Sequence, residues 1–183
     1  MMKIYNAALA KLGSNRLEQV QDENEQGAVG SLCRLLLPQV LDLALDYAPW
    51  SFALSRAELT ADKPCRYPCS FALPADLIKP VRLGAEEPGY PFTIEGSRLL
   101  APVAEAELIY VRREDDATKW TAPFTQAVIL GLAAELCPAV LNDISRQQAY
   151  QQEFQSVLAY AAAADPKRQK FQPRPSEWLY SRD

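Results

Sequence analysis

Hydrophobic spacing changes twice along this chain, from helical to alternating and back, and that double change leaves few architectures open. Residues 2–12 put Ile4, Ala7, Ala8 and Leu12 on one side of a short helix, and Gly13 follows where a C-terminal cap is expected. A polar, acidic stretch to Glu25 reads as a loop, with Asp22 or Asn24 as the cap of the next helix. Residues 26–47 then place Val29, Leu32, Cys33, Leu36, Val40, Leu43, Ala44 and Tyr47 on one helical face. Pro38 should kink that helix, because a mid-helix proline removes one backbone hydrogen bond and crowds the preceding turn.

Residues 51–113 behave differently. Half of the chain's fourteen prolines fall here, among short runs that alternate or carry strand formers. Candidate strands are 51–59, 70–73, 77–83, 90–94, 98–101 and 107–112, with turns at Pro88-Gly89 and Glu95-Gly96. Helical spacing returns at 122–141, where Pro123 suits a first turn and Leu136-Cys137-Pro138 marks a kink or an early stop. A last helix is expected over 144–164, lined on one side by Tyr150, Phe154, Val157, Leu158 and Ala161. The fold class that follows is α+β, an antiparallel helix bundle with an inserted antiparallel β subdomain. Residues 1–165 make one domain in this reading, and 166–183 an extended C-terminal arm.

The arm is set apart by composition. From Asp165 onward there are five basic residues against three acidic ones, in a chain of formal net charge −4. Three prolines favour an extended course, and Phe171, Trp178, Leu179 and Tyr180 offer burial that the segment cannot find within itself. Lys167, Arg168, Lys170, Phe171, Arg174, Trp178, Leu179 and Tyr180 are therefore the candidate partner-binding residues.

The chain contains no histidine. That removes Ser-His-Asp and Cys-His nucleophiles, facial-triad metal sites and the usual proton shuttles together. An all-cysteine zinc site would need Cys33, Cys65, Cys69 and Cys137, but Cys33 and Cys137 lie inside apolar helical patterns and read as core thiols. A Cys65–Cys69 disulfide is disfavoured in a reducing compartment. The run from Asp22 to Gly27 resembles the start of a calcium loop, yet its twelfth position is Cys33 where a bidentate glutamate is required. No glycine-rich phosphate loop occurs, and no local motif nominates a catalytic carboxylate pair. Arg112-Arg113 is followed at once by Asp115-Asp116, a mixture of signs that suits a surface or subunit contact rather than a nucleic-acid groove. Trp50, Phe52, Trp120 and Phe124 flank the two changes of period and are expected to pack as a structural junction between helical and β parts. The uninterrupted apolar runs are too short to span a bilayer, and the N-terminus lacks the layout of a signal peptide. No catalytic residue, cofactor, metal or membrane partner is expected, and the place of synthesis is expected to be a cytoplasm.

The order of motifs resembles that of tail tubular protein A, the head-to-tail adaptor of short-tailed bacteriophages. Asn6-Ala7-Ala8-Leu9-Ala10-Lys11-Leu12-Gly13 comes first, then an acidic loop, then Leu32-Cys33-Arg34 leading to Ala48-Pro49-Trp50-Ser51-Phe52-Ala53 and Arg56. Phe71-Ala72-Leu73-Pro74-Ala75-Asp76 follows, then Tyr110 with Arg112, Phe124, and Leu132-Ala133-Ala134-Glu135-Leu136. The resemblance covers nearly the whole chain and rests on Ala-Leu-x-x-Leu-Gly, Pro-Trp-x-Phe-Ala and Leu-Pro-x-Asp in this order. It implies a non-enzymatic subunit of a homo-oligomeric ring, a dodecamer in such phages, between a portal protein ring and a tail nozzle protein. Double-stranded DNA would pass through its lumen without sequence-specific binding. The implied location is the virion tail or neck, after synthesis in the bacterial host. Three other readings stay open on the residues alone: a head-completion or neck protein of another phage class, a tail-associated cell-wall or polysaccharide hydrolase, and a host-encoded scaffold protein.

Overall fold

The computed structural model describes residues 1–13, 28–61, 68–85 and 88–169, with side chains to residue 165. Among them are four helices and two small antiparallel sheets, a mixed α+β fold. Helix α1 (Met2–Lys11) buries Ile4, Tyr5, Ala8 and Leu9. It ends at Gly13, whose φ of +69° would strain any residue bearing a β-carbon. Helix α2 (Ala28–Tyr47) runs on through Pro38 and buries Cys33, Leu37, Val40, Leu41, Ala44 and Leu45. The acidic loop with Asp22 and Asn24 lies outside the described residues.

Helix α3 (Ala122–Leu141) is the centre of the helical part and packs against α1, α2 and α4. Its N-terminus is capped by Thr121, whose hydroxyl accepts from the Phe124 amide at 3.4 Å. It continues past Pro138 and closes on Asn142, which adopts the left-handed conformation at φ 52°. Residue 131 has to be glycine-sized, because a β-carbon there would lie 2.7 Å from Val40 Cγ1 and 3.3 Å from the Phe154 ring. Three helices therefore meet at that point. Helix α4 (Ile144–Gln169) starts at Asp143, whose carboxylate accepts from the Arg146 amide at 3.0 Å. Its apolar seam is narrow, with Phe154, Leu158 and Ala161 buried. Arg146 and the Tyr150 hydroxyl donate to the Leu12 and Lys11 carbonyls, which α1 itself leaves without helical partners. By length and composition, α2 and α3 are apolar enough to cross a membrane.

Among the described residues, six strands lie between α2 and α3. The first sheet has β1 (Leu54–Thr60) and β3 (Leu77–Leu83) on either side of β6 (Glu105–Arg112); the second has β2 (Cys69–Ala72) and β4 (Thr93–Glu95) on either side of β5 (Arg98–Ala101). All pairings are antiparallel. Pro80 is tolerated because β3 is an edge strand with register shifts on both sides of it. Leu59, Leu83, Leu108 and Tyr110 of the first sheet meet Cys69, Phe71, Leu99 and Ala101 of the second in a core separate from that of the helices. Strand β6 serves both cores, since Leu108 and Tyr110 face the strand core whereas Val111 joins the helical one.

Several expected limits move. Strand β1 begins at Leu54 rather than 51, because Ala53 and Leu54 both donate to the Trp50 carbonyl and close a turn first. Strand β4 begins at Thr93 rather than 90, the Tyr90 amide being used by the Leu83 carbonyl. Helix α4 runs to Gln169, five residues beyond the expected end at 164. Lys167 and Arg168 are thus helical rather than part of an extended arm, because a proline such as Pro166 costs one backbone hydrogen bond but does not by itself end a helix. Lys170, Phe171, Arg174, Trp178, Leu179 and Tyr180 lie outside the described residues. Cys33 and Cys137 are buried free thiols, but Cys69 is disulfide-bonded. Cys69 thus departs from the expected free thiol, because the fold brings its sulfur within bonding reach of another.

Candidate functional site

The described residues that concentrate long-range polar and aromatic contacts lie at the joint between helices and strands. Trp50 follows α2 and is fully buried; its indole N–H donates to the Ala44 carbonyl at 2.8 Å, which closes the helix end with a side chain. Phe124, positioned by the Thr121 cap, is the hub. Its ring lies 4.9 Å from Trp50, 4.9 Å from Phe52 and 5.5 Å from Trp120, at interplanar angles of 68°, 63° and 78°. Trp50 and Phe52 stack at 6.0 Å. Edge-to-face packing of this kind contributes roughly 0.5–1.5 kcal/mol per pair beyond area burial. All four aromatic residues nominated from the sequence are therefore in one cluster.

The loop from Arg113 to Thr121 is organised around Glu114, a carboxylate only 5% exposed. It accepts from Arg112, from Lys119 Nζ at 3.0 Å and from the Asp116 amide at 3.2 Å, while its own carbonyl accepts from the Trp120 indole at 2.9 Å. Burial pushes the Glu114 carboxyl up, but the hydrogen bonds from Lys119, the Asp116 amide and Arg112 together hold it below its ordinary value. Asp116 is lowered chiefly by the Thr118 hydroxyl and amide, which bond it at 2.7 and 3.0 Å.

Arg112 and Arg113 spend their charge inside the chain. Arg113 reaches Asp42 on α2 and Asp115, each at 3.1 Å, and its amide donates to the Asp76 carbonyl at 2.7 Å. The hydrogen bond to Asp115 is the main reason that its guanidinium is held above its ordinary value. Asp76 also accepts from the Tyr110 hydroxyl at 3.0 Å, and burial, more than this bond, pushes the Tyr110 phenol up. The Leu-Pro-x-Asp motif thus ends in a residue that ties down the C-terminal end of β6.

A third tie was not legible in the sequence. Asp165 of α4 is 4% exposed, and its two carboxylate oxygens accept from the Ser51 amide at 2.7 Å and the Ser51 hydroxyl at 2.8 Å. In the sequence it counts only as one more acid at the head of the tail. Glu114 was equally hidden, standing beside the basic and acidic pairs that drew notice.

Chemically, this arrangement fixes orientation. Side chains from α2, β6, α3 and α4 converge on the 50–53 turn and the 113–121 loop, and the charges face protein partners. Among the described residues no three acids, cysteines or histidines are grouped to hold a metal ion. A cavity of about 230 Å³ lies elsewhere, on the strand part, walled by Pro68, Pro91, Phe92, Leu100 and Pro102 with Glu95 at its side. Searches against models of known families and against curated proteins match nothing to this chain.

Proposed function

We propose that this chain is a structural subunit of the head-to-tail adaptor ring of a short-tailed bacteriophage, with an antiparallel helix bundle, an inserted β subdomain and a C-terminal arm. One observation carries the reading: two of the three motifs on which the resemblance rests supply residues that hold the joint. Pro-Trp-x-Phe-Ala supplies Trp50 and Phe52 to the aromatic cluster, and Leu-Pro-x-Asp supplies Asp76 to Tyr110 and Arg113. A subunit that transmits position between a portal and a nozzle needs its two parts held at one angle, and close-packed aromatics with buried hydrogen bonds do that.

A ring is built from a heterologous contact, one patch of each subunit meeting a different patch of the next, and closure fixes the number of copies. The formal charge of −4 suits a lumen through which DNA slides, since a basic lining would hold phosphates through many contacts. In this reading Lys170, Phe171, Arg174, Trp178, Leu179 and Tyr180 meet the portal or a neighbouring subunit.

The test is mass by light scattering and symmetry by negative-stain imaging, on the purified protein alone and mixed with the portal of its phage. A ring that forms on the portal supports the adaptor. A monomer that ignores an intact portal removes it.

A further inference from the structure

The two outer edges of the first sheet are unlike. Strand β3 is blunted: Pro80 brings no N–H, the register shifts on both sides of it, and Lys79 Nζ donates to the Asp46 carbonyl of α2 at 2.8 Å. Strand β1 keeps one register over all seven residues, and among the described strands it pairs with β6 alone. At its two ends the Arg112 amide donates to the Ala53 carbonyl and the Ala61 amide to the Ala104 carbonyl, each at 2.9 Å. Bonded and unbonded positions alternate along an antiparallel pair, so the odd-numbered residues of β1 bond to β6 and the even-numbered ones face the outer edge. The Leu54 amide turns back to the Trp50 carbonyl. The Leu54 carbonyl and both backbone groups of Arg56, Glu58 and Thr60 are therefore left without partners among the described residues.

The exposed side of this edge carries an unresolved charge. Glu58 stands directly opposite Glu107 of β6, and like charges so placed are unfavourable. Glu107 is satisfied by Arg56, whose Nη1 donates to its two oxygens at 3.1 and 3.3 Å. Glu58 is exposed and has no ion pair among the described residues. The Arg56 side chain is 67% exposed, and its guanidinium has donors beyond the one nitrogen in use.

We propose that β1 pairs antiparallel with β1 of a second copy of this chain, about a two-fold axis at Ala57, and so joins the two first sheets into one. In that register Arg56 of each copy opposes Glu58 of the other, and the two exchange both backbone hydrogen bonds. The Thr60 amide meets the Leu54 carbonyl, and Ala57 meets its own copy, so no bulky side chain stands on the axis. Charge selects this register. A slip of two residues either way sets Arg56 against Arg56 or Glu58 against Glu58. A slip of one opposes free backbone groups to groups already bonded to β6. An isologous contact of this kind closes at two copies. It is thus a state of the free subunit, distinct from the heterologous contact of a ring, and it does not rest on the adaptor reading.

The experiment is sedimentation equilibrium of the purified full-length protein from about 1 to 100 μM. Wild type should be a monomer in equilibrium with a dimer. Glu58→Arg, checked for fold by circular dichroism, puts Arg against Arg twice and should weaken the dimer by about tenfold or more. Adding Arg56→Glu exchanges the two charges and should restore the dimer to within about threefold of wild type. A wild type that stays monomeric throughout overturns the proposal, as does Glu58→Arg that associates as well as wild type or a double variant that does not recover. If a charge variant fails to fold, Ala57→Cys decides instead. Facing Cα atoms of an unbonded antiparallel pair stand about 4.5 Å apart, within disulfide reach. Mild oxidation should then give a reducible dimer from Ala57→Cys and none from Thr60→Cys, which lies far from its own copy. Equal cross-linking of the two overturns the register and the proposal with it.

Discussion

Asp165 and Ser51 are 114 positions apart, yet both oxygens of the Asp165 carboxylate are taken by the amide and hydroxyl of that one serine. The carboxylate is buried, and a buried acceptor that loses its donors keeps the full cost of desolvation. Ser51→Ala should destabilise the protein by about 1–2 kcal/mol and Asp165→Ala by about 1–3 kcal/mol. Because they share one interaction, the double variant should cost less than the sum. Urea denaturation of the four proteins measures that coupling, and full additivity would show that the contact contributes nothing.

Phe124 touches Trp50, Phe52 and Trp120, so truncating it unseats three rings at once. Phe124→Ala should cost about 3–5 kcal/mol, and Phe124→Leu clearly less, since it keeps most of the volume. The order of thermal midpoints, wild type above Leu above Ala, checks it.

Gly131 allows α2, α3 and α4 to meet. A methyl group there would press on Val40 Cγ1, the end of a stiff β-branched side chain, and on the Phe154 ring. Gly131→Ala gains helix propensity worth about 1 kcal/mol yet should be destabilising overall, by about 1–2 kcal/mol, because overpacking outweighs it. Gly131→Ala combined with Val40→Ala should recover part of the loss. A single variant more stable than wild type in chemical denaturation would refute this.

Glu114 is held below its ordinary pKa in the folded chain. A depressed carboxylate contributes stability that is complete above its unfolded pKa and is lost as pH falls through the folded value. Stability should therefore drop on acidification below the ordinary carboxylate range, with Asp116, also lowered, adding to the slope. Glu114→Gln should be less stable at neutral pH and show a shallower acid dependence. Denaturation midpoints taken at stepped pH for both proteins give the two slopes, and parallel slopes would show that Glu114 is not the titrating group.

Local signals carried far in this chain where one element decides its own form. Gly13 could be read as a helix end because only a residue without a β-carbon takes φ of +69° cheaply. Strands 77–83 and 98–101 were legible because alternation and turn residues bound them on both sides. Element limits moved where a turn or a proline was misjudged: the Trp50 carbonyl claims two amides that would otherwise begin β1, and α4 passes Pro166. The four junction aromatics could be nominated, since they flank the changes of period, but Glu114 and Asp165 could not. An acid gives the same local signal whether it faces water or a buried serine.

The sequence by itself determined the α+β class, the order of helices around a strand insert and the absence of histidine chemistry, because periodicity and composition are properties of neighbours along the chain. Only the tertiary structure decided that the strands split into two sheets with their own core, that Phe124 is the hub of the joint and that Asp165 closes on Ser51. Those are relations between residues tens of positions apart, and they are settled by how buried polar groups and close-packed rings find partners in space.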